Sequence, residues 1–142
     1  MVSNAFPVGP ELYWLTVLTI ATALFWVPYI LGMIMCRGLV GALVTREGDD
    51  PGTFAWARRG QLAHRNAIEN LAVFAPLAIG VAITGTGTET TALAAMAFFW
   101  LRLAHYIAYI AGVAVVRTLL FVGGVVCQLS LGFAILSAGT TP

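Results

Sequence analysis

From Leu12 to Cys36 the chain carries no charged side chain, and the same holds from Asn70 to Thr88 and from Thr118 onward. Runs of that length constrain the fold more than any motif. About 20 apolar residues cross the hydrocarbon of a bilayer, and inside it only helices and closed barrels satisfy their own backbone. The chain is 60% hydrophobic and 9% charged, where a soluble domain carries about 25% charged residues. An all-α integral membrane protein follows. The 142 residues suit one domain. A net charge of +1 excludes an electrostatic nucleic-acid binder.

Within a single domain covering 1–142, four spans are expected, at about 12–36, 54–83, 90–112 and 117–137. Short links between them predict an up-down-up-down four-helix bundle. The first ten residues lack a basic stretch, so the first run reads as a true span and not a cleaved signal. Tyr13 and Trp14 suit an interfacial anchor. Pro28 removes the bond to the Leu24 carbonyl and predicts a kink, as Pro76 does in the second span. Arg37 closes the first span. A polar connection follows at 37–57, with a turn-rich charged tip at Arg46–Gly52 whose acids are read as solvated. Thr53 is a candidate cap for the second helix. Cys36 and Cys127 lie at or within apolar runs, without metal-ligand spacing, and are read as free, Cys127 as core. Trp26, Trp56 and Trp100 are read as interface or packing residues.

Against this apolar background two polar clusters stand out. Arg58, Arg59, His64, Arg65, Asn66, Glu69 and Asn70 lead directly into the second apolar run. Arg102, His105, Tyr106, Tyr109 and Arg117 answer them later. Ionisable groups in a span are costly, and by default they mark a functional site. Arg65, Asn66 and Glu69 share one helical face, as do Arg102, His105, Tyr106 and Tyr109. Glu69 is placed to pair with Arg65 or Arg102, but arginines outnumber carboxylates within the spans. The surplus calls for an anionic ligand, lipid headgroups or water, and arginine favours carboxylate or phosphate. His64 reads as a headgroup-level or inter-subunit polar residue, and His105 as a site contact or a bundle hydrogen bond. Most arginines lie at the first and third connections, so the positive-inside rule turns that end, with both clusters, to the cytoplasm. All basic residues are arginine, and Ala and Gly are abundant, which suggests a bacterial inner membrane.

Ala63-His-Arg-Asn-Ala-Ile-Glu-Asn-Leu71, then Phe74-Ala-Pro76, then Arg102-Leu-Ala-His-Tyr-Ile-Ala-Tyr109 with Arg117 beyond, resemble the MAPEG family, the membrane-associated proteins in eicosanoid and glutathione metabolism. The resemblance covers about 30–140. It implies a homotrimer that binds glutathione between neighbouring subunits and receives a lipophilic small-molecule substrate from the membrane lipids. By position it assigns Arg37, Arg65, Asn66, Glu69, Arg102, His105 and Tyr109 to the glutathione site. It assigns Arg117 to the thiolate, with the hydroxyl of Thr118 beside it. Phe121 departs from the tyrosine that several members carry, and the turn Gly112–Val116 is apolar where several members are basic.

Three functions compete on these residues. A glutathione transferase or peroxidase acting on lipophilic electrophiles stands first. The alternative is a non-catalytic lipid-binding or scaffold protein on the same fold. A small transporter or proton path through Glu69 and His105 is third, and the apolar outer halves of the spans speak against it.

Overall fold

A computed structural model describes residues 8–44 and 53–139. Five helices follow one another: α1 (Pro10–Leu24), α2 (Trp26–Val44), α3 (Ala55–Thr84), α4 (Glu89–Ala111) and α5 (Ala114–Ala138). Four segments are long and apolar enough to cross a membrane, because α1 and α2 form one stretch from Pro10 to Val44. The molecule is a four-helix membrane bundle, with α4 packed most extensively on α5. The charged tip Arg46–Gly52 lies outside the described residues.

The break between α1 and α2 falls at Phe25, three residues before Pro28. This is the expected kink: Pro28 has no N–H for the preceding turn, and its ring crowds it. α4 braces the break. The Tyr106 hydroxyl donates to the Phe25 carbonyl at 2.7 Å, and the two rings stack at 4.0 Å. Beside Arg37, where the first span is expected to close, Gly38 takes φ 72° and ψ 170° and breaks the helix, and helical residues resume up to Val44. Only glycine adopts that backbone cheaply.

The remaining bounds shift by one to three residues from expectation. Helix α3 begins after Phe54, with no side-chain cap, so Thr53 does not cap it. The amides of Ala57 and Arg58 bond the Phe54 carbonyl instead. Pro76 lies inside α3 without interrupting it, as bundle helices in membranes tolerate. Helix α5 begins at Ala114, so Arg117 sits within its first turn and not at its end. The α3–α4 turn closes with Gly85 in the left-handed region and a reciprocal Thr88–Thr91 capping box. At the other end of α4, Arg59 donates to the Ile110 carbonyl at 2.7 Å and so caps the helix from α3.

The core follows from spacing along α3. Ala57, Gly60, Ala63, Ala67, Asn70, Phe74, Ala78 and Val81 are its buried residues, three or four apart. Small residues in the first half allow close approach of α2 and α4. A β-carbon at Gly32 of α2 would stand 2.8 Å from that of Ala57. The second half carries bulk, with Phe74 stacked on Phe98 of α4 at 4.1 Å. Leu15 and Leu18 of α1 and Cys127 and Leu131 of α5 complete this cluster. Both cysteines are free, Cys36 exposed and Cys127 buried. Trp14 packs on Phe99 at 5.3 Å, while Trp26 and Trp100 are exposed.

Candidate functional site

The polar residues gather at one end of the bundle, where α2 finishes, α3 starts, α4 finishes and α5 starts. They form two groups facing different ways. On α4 and α5 the group is internal. Arg102 is 2% exposed and His105 5%. The Arg102 guanidinium lies over two rings, Phe98 at 5.7 Å and Phe121 at 5.6 Å. One turn on, the His105 ring stands 5.7 Å from Tyr109 and 6.3 Å from Phe121. Nearest the end of the bundle, Arg117 sits over the Tyr109 ring at 4.5 Å. Two arginines and four rings, those of Phe98, His105, Tyr109 and Phe121, thus line the α4–α5 seam.

On α3 the group is external. Arg65 and Glu69 form an ion pair at 3.6 Å, with side chains 76% and 61% exposed. Glu69 therefore pairs with Arg65 and not with Arg102. These two residues share the outward face of α3 with exposed Leu62 and Val73, opposite the face that packs on α2 and α4. Asn66 is half-buried beside them, and its carbonyl accepts from the Asn70 amide at 2.9 Å. Among the described residues, the Arg65–Glu69 ion pair lies within α3 and does not reach Arg102, whose guanidinium has no hydrogen-bond partner. Arg37 is half-buried, and a β-carbon at Gly41 would stand 2.8 Å from its own. Thr118 lies on the exposed side of α5 and donates to the Ala114 carbonyl at 3.0 Å, so its hydrogen is spent on its own helix.

No guanidinium nitrogen of Arg102 has a hydrogen-bond partner among the described residues. A buried guanidinium without a counter-ion costs several kcal/mol. Each cation–π contact returns about 2 kcal/mol or more when desolvated. The two rings offset part of the burial but accept no hydrogen bond, and an anion placed against Arg102 would satisfy its donors. The donor set fits one: Arg102 and Arg117 supply charge-assisted bonds, and Tyr109 a hydroxyl.

Several polar contacts escape a reading of the sequence. Gln128 of α5 is buried and donates to the Asn70 carbonyl at 3.2 Å. His64 Nδ1 lies 3.2 Å from the Tyr29 hydroxyl, a contact between α3 and α2 of the same chain. At the opposite end of the bundle Glu11 is 4% exposed and accepts from the Thr91 hydroxyl at 2.5 Å. A single Glu before an uncharged run looks like a solvated helix start. Its burial depends on Thr91, which no local pattern connects to it.

Helices, hydropathy and intramembrane polar groups together define a multi-pass integral membrane protein. The model of the MAPEG family matches residues 13–137, and the chain belongs to that family, whose members act in eicosanoid and glutathione metabolism. No curated protein and no solved structure matches the chain.

Proposed function

We propose that this protein is a membrane-bound glutathione transferase or peroxidase, acting as a homotrimer on lipophilic electrophiles from the cytoplasmic side of a bacterial inner membrane. The observation that carries this is Arg102, buried and without an acceptor, on the seam that also holds His105, Tyr109 and Arg117. Support for a site shared between subunits comes from the directions of the two groups. Arg65 and Glu69 point away from their own α4–α5 seam. A neighbour of the same kind could bring its seam against them.

Glutathione supplies two carboxylates, one ammonium and a thiol. The arginines suit the carboxylates, and Glu69 suits the ammonium. Arg117 is assigned to the sulfur. A thiol of pKa about 8.5 is mostly protonated at neutral pH, and lowering it by about two units takes about 2.7 kcal/mol of preference for the thiolate. A preorganised guanidinium at low dielectric supplies an effect of that size. The thiol proton leaves to water. The sulfur then forms a bond to the electrophilic carbon of the substrate, whose displaced electron pair goes to its leaving group or conjugated acceptor.

The test is thiolate absorbance near 240 nm on adding glutathione to the purified protein at neutral pH. Wild type is expected to give the signal and Arg117→Ala to lose it. Binding without thiolate would favour the second reading, a non-catalytic lipid-binding or scaffold role. Phe121 favours that reading, because it puts a ring beside His105 where several relatives carry a hydroxyl.

A further inference from the structure

The two rings over Arg102 differ in how they are held. Phe98 is fully buried and stacked on Phe74 of α3, with ring planes 14° apart. It is a fixed floor. Phe121 comes from α5 and is 38% exposed, while Arg102 is 2% exposed. Phe121 is therefore the outer of the two rings over the guanidinium. Gly124, three residues further along α5, lines the same space: a β-carbon there would stand 3.4 Å from Phe98 Cε2 and 3.7 Å from Arg102 Cζ, in ordinary van der Waals contact. Neither ring offers an oxygen, so both attract the positive charge without occupying an N–H donor.

We infer that Phe98 and Phe121 form an aromatic bracket that holds Arg102 in place for the glutathione carboxylate while leaving its donors unspent, which makes Phe121 a positioning residue for anion binding. This rests on the glutathione reading above. It assigns Phe121 a role of its own: the ring works through its negative face and not through a hydroxyl.

The test replaces Phe121 with mono-, di- and trifluorinated phenylalanine in the full-length protein and measures glutathione affinity by titration calorimetry in detergent. Fluorine drains the ring face and changes shape little. Affinity is expected to fall step by step along the series, by about tenfold in total. Phe121→Leu is expected to weaken binding by a similar factor, and Phe133→Leu, an exposed aromatic position on the same helix, to leave it unchanged. A series flat in affinity, with wild type binding, would overturn the bracket and leave the glutathione site standing. No binding by wild type would overturn the glutathione reading and this inference with it.

Discussion

At the scale of the residue, the two ends of the bundle treat buried charge in opposite ways. Glu11 is met by an oxygen donor within its own chain, from Thr91, which also accepts from the Thr88 amide at 2.8 Å to close the α4 cap. Arg102 has two rings against its guanidinium and no acceptor among the described residues. The first arrangement is self-sufficient, and the second is arranged for a visitor. Thr91→Val keeps the shape but strands the Glu11 oxygen and opens the cap. It is expected to cost about 1–3 kcal/mol, read as a lower unfolding temperature in detergent. Glu11→Gln keeps an acceptor and is expected to stay closer to wild type in the same assay. If Thr91→Val unfolds no earlier than wild type, the contact is not a staple. Neither Glu11 nor the Arg102 bracket is legible in the sequence. The first contact spans 80 positions, and the second depends on the register of α4 against α5. The Arg65–Glu69 pair is legible, because four residues make one helical turn.

At the scale of the element, the apolar runs announce the spans, and what they blur is where each helix starts and stops. Caps decide that, and here they are mostly backbone or tertiary. Helix α3 has no side-chain cap, and α4 ends under Arg59 from another helix. Pro28 foretells the break at Phe25, since it removes a bond one turn back. Gly38 does not announce its role, because one glycine after an arginine also fits a simple helix end. The α2–α3 packing depends on Gly32, where an added β-carbon would meet Ala57 at 2.8 Å and Trp56 Cη2 at 2.9 Å. Gly32→Ala is expected to push α2 from α3 at a cost of about 1–3 kcal/mol. Thermal unfolding should register the loss, with a shift in tryptophan emission as Trp56 is displaced. An unchanged unfolding temperature would mean that the two helices separate freely at this point.

At the scale of the whole molecule, one chain presents its α3 charges outward and its α4–α5 charges inward. If a functional site needs both, two chains must share it. Glu69→Ala and Arg102→Gln subunits are each expected to lose glutathione binding when alone. Co-expressed, they are expected to recover part of it, because some interfaces then pair an intact α3 with an intact seam. Mixed assemblies that remain silent, although both variants are present in the purified oligomer, would place the whole site within one chain.

The Glu11–Thr91 contact also bears on the order in which the protein is made. Glu11 emerges from the ribosome 80 residues ahead of the hydroxyl that will meet it. At about 5–20 residues per second, that gap lasts roughly 4–16 s. Throughout it the first span has a carboxylate and no partner from α4, so it gains by keeping that end at the headgroups or within the insertion machinery. Final docking of α1 therefore waits for α4, and a helix made well before α4 settles only after it.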